Sequence, residues 1–172
     1  MAASLSRPVP TSFWIRPDVN EEYTLDEKLL YIYLITNEHF QQHAIYKLSK
    51  RMMMVELGMD KEKFNKAFDN LENKYRVIKY SEATNEVAIL DYYSFGILKG
   101  GKPLKDCYTN LGKKVEDFTL LKDIYDYSLK LKDDREAFMT VMGMVRDKLE
   151  SEGLLTQDSA DDVEDRFELP FW

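Results

Sequence analysis

The chain has 172 residues, 44% of them hydrophobic and 32% charged, which is enough for one core with appendages and too apolar for a disordered polymer. No apolar run approaches the roughly 18 residues of a membrane span. The opening MAASLSRPVP lacks the apolar centre of a secretory signal and a single cysteine excludes a disulfide framework, so the expected setting is a reducing cytoplasm. The net charge of −7 looks hostile to nucleic acid, but it is unevenly spread. Basic against acidic residues number three and six in 1–44, nine and six in 45–82, eleven and twelve in 83–150, and one and seven in 151–172. Phosphate binding depends on local cationic density, and only 45–82 is net positive.

In chain order, residues 1–12 carry two prolines and read as a flexible arm, with Phe13 and Trp14 as the first apolar anchors. Thr24-Leu25-Asp26-Glu27 has the form of a capping box, in which the threonine and the glutamate three residues on each satisfy a backbone N–H at a helix start. The helix it opens, LDEKLLYIYLITN, is expected to turn Leu25, Leu29, Ile32, Tyr33 and Thr36 to one face, widened by Leu30, Tyr31 and Leu34. So wide an apolar surface predicts a central, buried helix. NEHFQQH then reads as a polar loop and AIYKL as a short strand.

The tightest stretch follows. Ser49 and Asp60 are N-cap types, and Gly58 is the least strained residue for the left-handed position that ends a helix. A cap, two turns, a glycine and another cap within two residues is the pattern of a helix-turn-helix, which aims its second helix at a DNA groove. On that second helix Phe64, Phe68, Leu71 and Tyr75 form one inward stripe. Lys66, Asn70 and Asn73 lie opposite, with Lys61 and Asn65 nearer the flank and Glu62 and Asp69 among them. Lysine takes phosphates or guanine acceptors and asparagine can pair with adenine, although the same residues suit an ordinary solvated face. RVIKYS and EVAIL around the polar turn EATN predict a hairpin, with Arg76 and Lys79 as cations that either meet a phosphate backbone or guard a strand edge. The expected fold is therefore mainly α with a small β wing: a winged helix-turn-helix over 13–95, a linker at 96–112, a helical extension at 113–152 and an acidic tail at 153–172. The candidate DNA-binding residues are Arg51, Lys61, Lys63, Asn65, Lys66, Asn70, Arg76 and Lys79.

SFWIRPDV, TLDEKLLYIYLITN and AIYKLSKRMMMVELGMDKEKFNKAFDNLENKYRVIKY together resemble the N-terminal winged-helix domain of phage-type replisome organisers, relatives of the DnaD-like primosome proteins. The resemblance covers roughly residues 13–95 and is most specific at Phe13-Trp14, Lys28–Asn37, Ile45-Tyr46 and Leu57-Gly58. It implies DNA or origin binding, self-association as a homo-oligomer, and recruitment of replication machinery. The C-terminal DnaD-type domain with its Tyr-Tyr-x-x-Ile motif finds no match, so helicase loading by that domain is not implied.

Beyond the wing, SFGILKGGKPLKD reads as a break. Two helices are expected after it, one burying Phe118, Leu121, Ile124, Tyr125 and Ser128, the other Phe138, Val141, Met142, Val145 and Leu149, to complete the core or form a dimer seam. Gly143 in mid-helix suggests a close backbone approach. P-loop, GxGxxG, HExxH and cysteine-cluster patterns are absent from the sequence. His39 and His43 have metal-pair spacing but sit in the loop without a third ligand, so they read as solvent histidines, and Cys107 reads as a buried or incidental thiol. No enzyme activity, cofactor or metal is expected.

From Gln157 the chain is acidic and then closes on Leu169-Pro170-Phe171-Trp172. Carboxylates that steer followed by an aromatic that plugs make a docking peptide, similar to the acidic tip of bacterial single-stranded-DNA-binding proteins and to sliding-clamp-binding peptides. The alternative is a terminus packed on its own domain. The expected function is a non-enzymatic protein of phage or plasmid-like DNA replication that binds duplex DNA by its winged helix and docks a replication factor through the tail. The rivals are a winged-helix transcriptional regulator and a protein-interaction module.

Overall fold

The computed structural model describes residues 7–95 and 102–155. A short 3-10 helix (Thr11–Ile15) and α1 (Pro17–Glu21) lead into α2 (Leu25–Thr36), β1 (Ile45–Lys47), α3 (Lys50–Leu57) and α4 (Lys61–Asp69). A π-helical turn (Asn70–Lys74) prolongs α4 before the hairpin of β2 (Ile78–Ser81) and β3 (Glu86–Ile89), and α5 (Lys102–Thr109), α6 (Phe118–Ser128) and α7 (Glu136–Ser151) follow. The fold is mainly α with a small β wing, a winged helix-turn-helix carrying a helical extension. No described helix is long and apolar enough to cross a membrane.

The capping box forms as expected: Thr24 accepts from the Glu27 N–H, and Glu27 Oε2 accepts from the Thr24 N–H at 2.7 Å. At the other end Asn37 Nδ2 donates to the Tyr33 and Leu34 carbonyls, each at 3.0 Å, and the Tyr46 hydroxyl donates to the Leu34 carbonyl at 2.5 Å, so side chains close the end of the helix. The predicted inward face is rotated, however. Leu30, Tyr31, Leu34 and Ile35 are buried, whereas Leu25 is 84% and Leu29 48% exposed. The pivot is Glu27, which is fully buried because it also accepts from Asn70 Nδ2 at 2.5 Å. A carboxylate with that many donors is better satisfied against α4 than in an apolar wall.

The sheet runs in the order β1-β3-β2, antiparallel throughout, with Ile45 opposite Ala88 and Ile78 opposite Ile89. Buried Ala44 turns into β1 with a left-handed φ of 61°. Central β3 is buried along its whole length because both faces are covered. Tyr80 reaches across one face to Phe68 of α4. On the other side Glu86 accepts the N–H groups of Glu116 at 2.9 Å and Asp117 at 2.8 Å, just where α6 begins. They belong to the N-cap Asp117 and the residue before it, and a fully buried carboxylate on the wing serves as their acceptor at the positive end of α6. The helical extension thus completes the core, burying Leu120, Leu121 and Ile124 on α6 and Phe138, Val141, Met142, Val145 and Leu149 on α7.

Three further expectations are corrected. The stretch read as a linker contains α5, whose Lys102-Pro103 start suits a first helical turn, and its Tyr108 is buried in contact with the Tyr93 hydroxyl. Gly143 makes no close approach, since a β-carbon there would have nothing within 4 Å. His43 is not a solvent histidine: it is fully buried, with Nδ1 accepting from the Ile45 N–H at 3.4 Å and Nε2 unpartnered. Burial, helped by the charge of Lys114, lowers its pKa from 6.5 to about 4. A neutral buried histidine must take up a proton on unfolding below 6.5, so its contribution to stability is complete above that pH and is lost as pH falls toward 4. The expected result is a stability that falls by about 1 kcal/mol per pH unit in this window. Urea melts of His43→Gln across the same range should show a shallower slope; an unchanged slope would assign the acid sensitivity to carboxylates.

Candidate nucleic-acid interface

The helix-turn-helix is built from its caps. Ser49 Oγ accepts from the Met52 N–H at 3.2 Å to open α3, and Gly58 at φ 61° ends it, with the Met59 N–H returning to the Met54 carbonyl at 3.1 Å. Asp60 Oδ1 then accepts from the Lys63 N–H at 2.9 Å to open α4. At Gly58 the dihedral rather than space demands glycine, because a β-carbon would meet nothing within 4 Å. Phe64, Ala67 and Phe68 anchor α4, with the Phe64 and Phe68 rings 5.4 Å apart.

That anchoring leaves Lys61, Lys63, Asn65 and Lys66 exposed on α4 and Arg51 exposed on α3. Arg51, Lys61, Asn65 and Lys66 make no hydrogen bond or ion pair within the described residues, and Lys63 reaches Asp60 only at 3.8 Å with both side chains more than half exposed. Such a contact is worth little in water, so all five donors remain accessible. The cations do not form a pure stripe. Lys63 and Lys66 line a cleft of about 340 Å³ between the starts of α2 and α4 together with Asp26, Glu27, Asp60 and Glu62. The acids lower the positive potential there and leave Arg51, Lys61 and Asn65 on the less acidic part of the surface.

The remaining candidates separate from this group. Asn70 is removed from the outer face, since its amide is engaged by Glu27. Arg76 is exposed at the foot of the wing, with a left-handed φ of 53°. Lys79 alternates with Tyr80 and so faces α6 rather than α4. There it opposes Asp123, whose carboxyl is pushed up by burial and pulled back by the Lys79 charge. Leu169, Pro170, Phe171 and Trp172 lie outside the described residues.

Lys50 is a residue that the sequence reading missed. Its ammonium pairs with Glu82 in the wing turn and sits 4.7 Å from the centres of both the Phe68 and Tyr80 rings, tying the start of α3 to the wing. The only signal was a lysine at the first position of a helix, where the dipole disfavours a cation unless something else holds it. Elsewhere, His39 is half-exposed beside Glu38 while His43 is buried, and among the described residues no cluster of His, Cys, Asp and Glu has the geometry of a metal site. The Cys107 thiol lies against the His43 backbone, and burial raises its pKa.

No family model, curated protein or solved structure matches the chain.

Proposed function

We propose that the chain is a non-enzymatic, duplex-DNA-binding protein of the replisome-organiser kind, acting in phage or plasmid-like DNA replication in the cytoplasm of a bacterial or phage-infected cell. The observation that carries this reading is the set of exposed, unpartnered donors Arg51, Lys61, Asn65 and Lys66 on the two helices of a helix-turn-helix. Side chains already held by acids lose much of what a phosphate offers, and these are not held. With α4 in the major groove, lysines at its start meet backbone phosphates and Asn65 reaches a base edge. The resemblance of residues 13–95 to replisome organisers supports replication over other uses of the same motif. Self-association and tail-mediated recruitment of a replication factor belong to the same reading.

Lys61→Ala with Lys66→Ala should weaken duplex binding similarly for all sequences. It should also flatten the dependence of log affinity on log salt by about one unit for each phosphate no longer neutralised. Gel-shift titrations of duplex and single strand at two salt concentrations read both quantities. An unchanged affinity in the double variant would remove α4 from the interface.

A second reading has its own observation. Val55 is 70% and Met52 46% exposed on α3, which suits a protein contact better than a phosphate backbone. Retained partner binding with no DNA affinity would favour that interaction-module reading.

A further inference from the structure

The exposed aliphatic residues of α3 and the free cations beside them pose a joint question. Val55 and Met52 stand out from the same helix that presents Arg51, with Lys61 following across the Gly58 turn. Protein–DNA contacts are strongly polar and positively charged, and they leave two bare aliphatic side chains unexplained. A ligand that uses both classes of residue carries carboxylates and bulky apolar groups on one short segment. Residues 156–172 have that composition: Asp158, Asp161, Asp162, Glu164, Asp165 and Glu168 against the single Arg166, interleaved with Val163, Phe167, Leu169, Phe171 and Trp172. Two stretches of this chain offer those acids a net positive charge, 45–82 and the lysine-rich 99–114, and the first presents exposed aliphatic residues beside its cations.

We infer that residues 156–172 occupy the α3–α4 surface of their own chain, the carboxylates on Arg51 and Lys61 and the aromatics over Met52 and Val55, and so compete with DNA for it. The inference rests on the DNA-binding reading for its consequence, though not for the contact itself. Seventeen residues can reach about 55 Å when extended, against a diameter of about 40 Å for a compact chain of this length. A path around half of such a body is about 60 Å, so the segment can reach α3 from the end of α7 unless the two lie at opposite poles. Tethering supplies a local concentration of about a millimolar, so even a weak contact is populated until DNA or a partner displaces it. The acidity of the whole chain then becomes a property of the inhibitor rather than a contradiction of the interface.

The test uses the full-length chain throughout. One variant neutralises the segment (Asp161→Asn, Asp162→Asn, Glu164→Gln, Asp165→Asn), a second removes its apolar end (Phe171→Ala, Trp172→Ala), and a third removes the proposed seat without changing charge (Val55→Ser). All three should bind duplex DNA more tightly at low salt, the first by about tenfold, with the gain shrinking as salt rises. A fluorescein-labelled peptide of residues 156–172 should bind the neutralised variant in an anisotropy titration, and duplex DNA should release it. If only the neutralised variant gains affinity while the second and third match the parent, the segment acts by general repulsion and the docking is overturned. If no variant binds DNA yet the peptide binds and Val55→Ser abolishes it, the docking stands and the DNA-binding reading fails. If the peptide does not bind, the docking fails whatever DNA does.

Discussion

Phe68→Ala is expected to lower the unfolding free energy by about 3–5 kcal/mol, read from urea denaturation by far-ultraviolet circular dichroism. Phe68 is 4% exposed and lies where three elements meet. Its ring is 5.4 Å from Phe64 and 5.6 Å from Tyr80, to which it stands nearly perpendicular, and the Lys50 ammonium sits 4.7 Å from its centre. Truncation therefore opens a cavity between α4 and the wing and removes a face on which Lys50 rests. The surrounding residues belong to a capped helix and to a strand held against β3, which limits their collapse into the gap. DNA binding should fail in parallel with folding, and a normal melt would show that the ring does not contribute to the core.

The second large effect is expected at Asp91, a fully buried carboxylate that accepts from Arg16 Nη1 at 2.6 Å and from the Tyr31 hydroxyl at 2.5 Å. Burial pushes its pKa up while the guanidinium and the hydroxyl pull it down. Arg16 also grips Asp18 through two nitrogens, at 2.6 and 3.1 Å, and lies over the Phe95 ring, so one cation joins the start of α1 to the exit of the wing. Asp91→Ala strands a buried tyrosine hydroxyl and half of a guanidinium, a change expected to cost about 3 kcal/mol. Asp18 is 35% exposed, so Asp18→Ala should cost less than about 1 kcal/mol. Equal losses in the two variants would mean that Arg16, rather than the buried carboxylate, is the element that matters.

The parts legible in the sequence are those in which chemistry on one face contrasts with chemistry on the other. The α7 positions Phe138, Val141, Met142, Val145 and Leu149 are all buried as spaced, with Thr140, Arg146, Asp147 and Lys148 marking the opposite side even though Met139 and Met144 also fall between them. The caps at Thr24, Ser49 and Asp60 and the turn at Gly58 are legible because each is a local geometric demand met by one residue type. In α2 the apolar residues run around the helix, so periodicity has almost no gradient, and the decision falls to Glu27 and its contact with Asn70 across 43 residues. The same contact removes Asn70 from the reading face, while strand alternation turns Lys79 toward α6. Burial of His43 is hidden for a related reason: a polar loop looks solvated until the elements that cover it are known.

The Glu86 clamp sets a schedule for a chain made from its N-terminus. The two N–H groups that this buried carboxylate requires lie 30 and 31 residues downstream, at Glu116 and Asp117. While those residues are still inside the ribosome, the hairpin has both strands but its Glu86 carboxylate is held only by the Thr84 hydroxyl, at 2.8 Å, on the face that α6 will cover. A winged helix that is complete in sequence is thus not yet complete in energy, and its final docking waits on the extension. Early release or a stall in this window would leave the wing's apolar strands uncovered, a species for chaperones to hold rather than a small domain that has finished folding.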